Sequence, residues 1–155
     1  MKKLFFILLL SLPVSVSFAQ EDLKFSSGRE KHDGKPQLFN NLSPKFSVRS
    51  GLIDEVMSSR LNQPVSLLIT EGFVFHGKIL SKTSDAPGLE TITIESNEKQ
   101  GLLFTLSKTT IPGEGVVFRG LLISRNHSDM VVLEKDPVTG VYEWTKKNVS
   151  QMISD

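Results

Sequence analysis

The sequence predicts a mainly β fold in which six or seven antiparallel strands form a small barrel or a two-sheet sandwich. After Pro64, apolar residues alternate with polar ones in short runs, which is typical of strands with one buried face. Turn-forming residues separate these runs at intervals of about ten residues, which is the spacing of an antiparallel meander. No stretch after Pro64 is long enough for the helical crossovers that parallel strands need.

A nine-residue segment is repeated within this β region. Residues 74–82 read VFHGKILSK and residues 117–125 read VFRGLLISR, so four positions are identical and four more keep their character. The match indicates two duplicated β units; the alternative is chance, because Phe, Val, Gly and Ser are common in strands. Each copy has a mid-strand glycine, Gly77 or Gly120, which predicts a bend or bulge. The alternative is that these glycines let a ligand approach the backbone.

The chain begins with the features of a secretory signal peptide at residues 1–19. Lys2 and Lys3 precede an apolar run at 4–12, and small residues before Ala19 form a cleavage site. The alternative is an uncleaved anchor, but the run is shorter than the roughly 18 apolar residues of a membrane-spanning helix. We therefore expect an exported protein, periplasmic or extracellular, with no membrane span after cleavage.

Charge and cysteine content exclude several classes of function. The chain has 18 basic and 17 acidic residues, and cleavage removes two of the basic ones, so the mature protein is close to neutral. Nucleic-acid binding generally needs a clearly basic face, so no nucleic-acid partner is expected. The chain has no cysteine, which excludes disulfides and thiolate chemistry. Stability must come from the packed core of a single domain, which we assign to residues 47–155.

The segment between the signal peptide and this domain, residues 20–46, is predicted to be a flexible leader. It has no apolar residue between Phe25 and Leu38, so it cannot offset the entropy lost on ordering. Four apolar residues near its end are candidates for docking on the folded domain: Leu38, Phe39, Leu42 and Phe46.

A short helix is predicted over residues 52–61. Ser50 fits the N-cap position, and Asp54 and Glu55 lie in the first turns, where the helix dipole favours acidic side chains. Apolar residues fall on one side at helical spacing, so the helix is expected to cover a sheet face or the barrel mouth. The alternative is a helix that binds a partner. The apolar side consists of Leu52, Ile53, Val56, Met57 and Leu61.

Seven runs qualify as strands in the remaining sequence. Short turns rich in Gly, Pro, Asn and Asp connect them, beginning with Glu71 and Gly72 between the first two. Their ranges are 65–70, 73–80, 89–95, 102–106, 116–123, 130–134 and 141–146.

The sequence presents no catalytic, cofactor-binding or metal-binding constellation. The histidines His32, His76 and His127 lack the paired spacing of metal ligands, and no Gly-x-Ser-x-Gly motif or phosphate-binding glycine loop occurs. Asp85 and Asp129 lie in predicted loops and are interpreted as turn caps. We therefore expect no enzyme activity, no cofactor and no metal.

Three further groups of residues have structural interpretations. Ser81 and Ser124 recur in the repeat at the strand ends, where their hydroxyls can satisfy backbone groups. An exposed aromatic and basic patch is one interpretation of the C-terminal region, and a core position for Trp144 is the other: the group is Tyr142, Trp144, Lys146 and Lys147. Three glycosylation sequons are expected to stay unmodified, because the signal peptide has a bacterial character: Asn41, Asn126 and Asn148.

The fifth predicted strand departs from the pattern, because it is apolar on both faces. Val117, Leu121 and Ile123 lie opposite the Phe118 face, on the side that a simple barrel exposes to water. The predicted helix is the preferred cover, and the leader, a second copy or a partner are the alternatives. These three residues are the candidate partner surface.

The sequence thus favours an exported, non-catalytic β module that binds a protein or another surface partner, or forms a homodimer, through this strand face. Two alternatives stay open: a barrel that binds a small apolar ligand in its interior, and a small hydrolase whose site the sequence does not reveal. An interior cavity favours the first of these. A cluster of Asp85, His127 and Asp129 in a cleft favours the second.

Overall fold

The computed structural model describes residues 34–150 of the chain. These residues form one curled half-barrel sheet of eight antiparallel strands, with one short helix packed on it. The predicted signal peptide, residues 20–33 of the predicted leader and residues 151–155 lie outside the described residues. In chain order the elements are β1 (Lys45–Ser47), α1 (Leu52–Ser58), β2 (Pro64–Thr70), β3 (Phe73–Ala86), β4 (Leu89–Ser96), β5 (Leu102–Ile111), β6 (Gly115–Ser124), β7 (Asp129–Lys135) and β8 (Tyr142–Asn148).

The mainly β, antiparallel fold is confirmed, but the predicted number of strands is wrong. Strands β2 to β8 pair in chain order as a meander, and β1 pairs with β8. The additional strand is β1, which the sequence placed in the leader because three residues are too few to show an alternating pattern. Within residues 34–150 all strands belong to a single sheet, so the two-sheet sandwich is not found.

The tight turn between β2 and β3 depends on a glycine, as the sequence predicted. Gly72 has a φ of 85°, in the left-handed region that favours glycine. Glu71 and Gly72 join Thr70 directly to Phe73, which are cross-strand partners at the end of the hairpin.

Alternate residues of the strands point to the concave face of the sheet and form the core. Phe104 of β5 contacts Phe75 of β3 and Trp144 of β8, with ring centroids 6.2 and 5.8 Å apart. Strands β5 and β8 are not neighbours in the sheet, so the second contact crosses the curl. The helix covers this concave face with Leu52 and Val56. The other fully buried apolar residues are Phe39, Leu67, Ile69, Ile79, Ile92, Ile94, Leu102, Leu106, Leu122, Met130, Val131 and Leu133.

The helix is shorter than predicted and begins at a different cap. Gly51, with a φ of 79°, occupies the N-cap position in place of Ser50. At the other end, the hydroxyls of Ser58 and Ser59 both donate to the carbonyl of Glu55, and the backbone of Ser59 is extended. Such local hydrogen bonds compete with continued helical bonding, so α1 ends three residues before the predicted limit.

The end of the predicted leader is held against the sheet. Phe39 is 1% exposed and contacts Phe73 edge to face at 5.7 Å. The two carboxylate oxygens of Asp129 accept backbone N–H groups from Leu38 and Phe39, each at 2.7 Å. Lys146 donates to the Phe39 carbonyl at 3.4 Å. The turn-cap interpretation of Asp129 is therefore wrong, because this carboxylate binds a segment that is remote in sequence.

The repeated glycines leave room for neighbouring strands. A Cβ atom at Gly77 would lie 2.5 Å from the carbonyl oxygen of Glu95. A Cβ atom at Gly120 would lie 2.8 Å from the Cβ of Leu133. Both distances are shorter than van der Waals contact allows, so close packing of the sheet requires glycine at both positions.

Candidate functional site

Strands β6 and β7 pair along only part of their length. Their register runs from Ile123 opposite Met130 to Gly120 opposite Leu133, and ends there. Strand β6 stays paired with β5 down to Gly115, and β7 stays paired with β8 over its whole length. The β5–β6 hairpin and the β7–β8 hairpin therefore separate beyond Gly120. This separation lies in the interior of the sheet rather than at its edge.

A groove with a volume of about 590 Å³ opens where the two strands separate. We call it the β6–β7 groove; residues 117–121 of β6 and 132–135 of β7 line it. Val117, Leu121 and Val132 supply apolar surface, and the charged residues of the lining are Arg119, Glu134 and Lys135. The volume lies within the range of about 300 to 1,000 Å³ that is typical of ligand-binding clefts.

The edge of β6 inside the groove carries backbone groups without a strand partner. The N–H of Phe118 donates to the Tyr142 hydroxyl at 2.9 Å, which shows that this residue directs its backbone toward β7. Alternate residues of a strand face the same side, so the N–H and C=O of Val116 and the C=O of Phe118 also face the gap. Within the described residues no strand pairs with β6 here.

The charged side chains of the groove do not balance one another. Both carboxylate oxygens of Glu134 accept hydrogen bonds from the Lys147 ammonium, at 2.8 and 2.9 Å. Arg119 and Lys135 form no ion pair with any residue in the range 34–150. The groove therefore presents two cations that no acidic side chain of the described residues pairs with.

The structure divides the candidate partner surface between the groove and the adjoining convex face. Val117 and Leu121 line the groove. Ile123 lies beyond its end, between Leu103 of β5 and Met130 of β7. All three candidate residues are half-buried.

The expectation that the helix covers this surface is wrong. Leu52 and Val56 of α1 belong to the same buried core as Leu122, whose side chain points to the concave face. Leu121 precedes Leu122 in the same strand and therefore points the opposite way. Neither α1 nor the described part of the leader lies over the groove, because Phe39 also belongs to the concave core.

The residues considered for catalysis do not gather in a cleft. The Oγ of Ser124 and the Nδ1 of His127 are 2.8 Å apart, but Ser124 is only 3% exposed and its oxygen also accepts the Asn126 N–H. By accepting the Asn126 N–H, the Ser124 hydroxyl closes the turn after β6, as the sequence predicted for a serine at a strand end. Asp129 is engaged with the N-terminal segment, and Asp85 is exposed near the end of β3. Among the described residues no three His, Cys, Asp or Glu side chains are placed to hold a metal ion.

The aromatic and basic patch predicted near the C-terminus is not formed as a surface. Trp144 is fully buried, stacked on Phe46 with centroids 6.4 Å apart, so its core interpretation is the correct one. Tyr142 points inward and contacts the ring of Phe118 edge to face at 5.9 Å. Lys147 donates to Glu134, and Lys146 donates to the carbonyl of Phe39.

Arg119, Glu134 and Lys135 are the groove residues that the sequence did not single out. Charged residues in these strands did not indicate a site, because charged residues are common on the solvent-facing side of antiparallel sheets. Of the residues that the sequence did single out, Val117 and Leu121, apolar where water was expected, line this groove.

Comparisons with protein families, curated proteins and solved structures find no match to this chain. Within residues 34–150, no helix has the length and apolar character needed to cross a membrane.

Proposed function

We propose that this chain is an exported, non-catalytic β module that binds a protein partner in the β6–β7 groove and on the adjoining convex face. The observation that carries the proposal is the separation of two strands in the middle of a sheet, over an apolar lining that includes Val117 and Leu121. Such a gap leaves ladder hydrogen bonds unmade, and a folded chain usually pairs or protects these groups. A bound partner supplies the missing contacts.

The packing of the concave face supports a partner at the groove over a small ligand inside the sheet. The rings of Phe75, Phe104 and Trp144 meet there at ordinary aromatic contact distances. Leu52 and Val56 of α1 lie fully buried against the same core. An interior ligand would have to displace these side chains, whereas the groove is already open.

Site-specific photo-crosslinking in the producing cell tests the proposal. A photo-crosslinking residue in place of Val117, a half-buried residue of the groove lining on the same face as Leu121, should give a discrete protein adduct. Leu121→Asp should abolish the adduct, because a carboxylate replaces apolar contact surface. Leu80→Asp is the matched control, since Leu80 is 55% exposed on β3, away from the groove, and should leave the adduct unchanged.

Folding of each variant is read from the fluorescence of Trp144, the single tryptophan of the chain. If Leu121→Asp does not fold, Val132→Ser provides a milder change in the same lining. The proposal fails if the folded protein gives no adduct from position 117, or if neither groove variant weakens the adduct. The mass of the adduct shows whether the partner is another protein or a second copy of this chain.

A further inference from the structure

We infer that the β6–β7 groove binds an extended, acidic peptide segment, which adds a short strand to the free edge of β6. This inference rests on the proposed function and names the chemistry of the partner. Three features of the groove carry it: a free strand edge, an apolar lining and two unpaired cations.

The free edge determines the conformation of the partner. Val116 offers a backbone N–H and C=O toward the gap, and Phe118 offers a C=O. An extended chain presents complementary groups at the same spacing, which is the basis of recognition by strand addition. The hydroxyl of Tyr142 already accepts the Phe118 N–H, so it occupies the position that a strand carbonyl takes in a complete ladder.

The lining determines which side chains fit. Val117, Leu121 and Val132 form apolar surface beside the free edge. In an extended peptide every second side chain points the same way, so apolar residues at alternate positions would lie on this surface. A helical or compact segment could not pair with the free edge of β6 and contact the apolar lining at the same time.

The charge of the lining determines the sign of the partner. The carboxylate of Glu134 is held by Lys147 through both oxygens, so it does not compensate the lining cations. Arg119 and Lys135 lie on the opposite strands of the groove and form no ion pair within the described chain. Arg119 shares the face of Val117 and Leu121, whereas Lys135 follows Leu133 by two residues and lies on the other face. A strand placed between β6 and β7 would therefore have one cation on each of its faces to receive a carboxylate.

The test uses blocked six-residue peptides and the purified protein. In the probe peptide valine alternates with glutamate, and in its charge control valine alternates with lysine. A third peptide keeps the glutamates but carries N-methyl groups at alternate backbone amides, which removes the donors that a strand needs. Binding is measured by titration calorimetry, and the site is mapped from the amide resonances of β6.

We expect the glutamate peptide to bind at least about ten times more tightly than the lysine peptide and to shift the resonances of residues 116–121. The N-methylated peptide should not bind. The double variant Arg119→Glu with Lys135→Glu should reverse the preference between the glutamate and lysine peptides. Both side chains are exposed, so the variant should fold, and the fluorescence of Trp144 verifies this.

Equal binding of the two charged peptides, binding of the N-methylated peptide, or resonance shifts elsewhere would each overturn the inference. So would the absence of peptide binding to the folded protein. If no peptide binds but the adduct from position 117 persists, the groove binds a folded partner and the proposed function stands. If the adduct is also absent, both proposals fail.

Discussion

Asp129 shows how a single buried carboxylate organises a segment far away in the sequence. It is 2% exposed, and each of its oxygens accepts one backbone N–H from the N-terminal segment. Removal from water disfavours a carboxylate, and charge-assisted hydrogen bonds offset that cost. The partners are about 90 residues earlier in the chain, so no local pattern around Asp129 could have predicted them.

We expect Asp129→Asn to lower the free energy of unfolding by about 2 to 4 kcal/mol. The amide nitrogen of asparagine cannot accept an N–H, so one of the two amides at Leu38 and Phe39 loses its acceptor. Urea denaturation followed by Trp144 fluorescence measures the change. Asp85→Asn, at an exposed position on β3, should change it by less than about 0.5 kcal/mol. Equal effects of the two substitutions would contradict the anchoring role.

Asp136 gives the turn between β7 and β8 a dependence on pH. The backbone N–H of Thr139, that of Val138 and the Thr139 hydroxyl hold the pKa of Asp136 below its ordinary value of 3.8. The folded state therefore favours the charged carboxylate. Its contribution to stability is complete above pH 3.8 and is lost as the pH falls through the lower pKa of the folded state.

We expect the amide resonances of Val138 and Thr139 to titrate below pH 3.8 in the wild type and to show no such titration in Asp136→Asn. The difference in unfolding free energy between the two proteins should be constant above pH 5 and shrink as the pH falls below about 3.8. NMR titration and urea denaturation at several pH values measure the two effects. A midpoint at or above 3.8 would contradict the role of these hydrogen bonds.

At the scale of elements, the sequence predicted strands where alternation was long enough to read and failed where it was short. The seven predicted runs correspond to β2 to β8, whereas β1, which has only three residues, was not predicted. The extent of pairing between β6 and β7 could not be read from the sequence. It follows from the paths of two separate hairpins, β5–β6 and β7–β8. The unusual apolar face of β6 could be read, and it identified Val117 and Leu121.

Tyr142 connects the β5–β6 and β7–β8 hairpins across the groove through the hydrogen bond that its hydroxyl accepts. A substitution that removes only this hydroxyl tests the connection. We expect Tyr142→Phe to speed hydrogen exchange at the Phe118 amide and to lower the free energy of unfolding by about 1 kcal/mol. The phenylalanine ring retains the aromatic contact with Phe118, so the change isolates the hydrogen bond. Amide exchange followed by NMR measures the first effect. An unchanged rate at Phe118 would show that the hydroxyl does not hold the two hairpins together.

At the scale of the whole molecule, the sheet curls without closing, and its outer strands are protected in different ways. One outer strand, β1, has three residues, and the other, β2, begins with Pro64, which has no N–H to donate. Short length and proline are common protections of sheet edges. The interior gap at the groove has neither form of protection, and this contrast supports the proposal that a partner binds there. The duplication, the signal peptide and the export of the chain stay predictions from sequence.

The position of β1 in the sheet also determines the order in which parts of the fold can form. Its cross-strand partners belong to β8, and Phe39 is held by Asp129 and Lys146. Asp129 begins β7 and Lys146 lies in β8, so these partners are synthesised after β2 to β6, whereas β1 and Phe39 precede those strands. The meander from β2 to β8 can form from neighbouring contacts as the chain emerges, but the first strand must wait for the last. The N-terminal segment can therefore dock only after β7 and β8 have been synthesised and have joined the sheet.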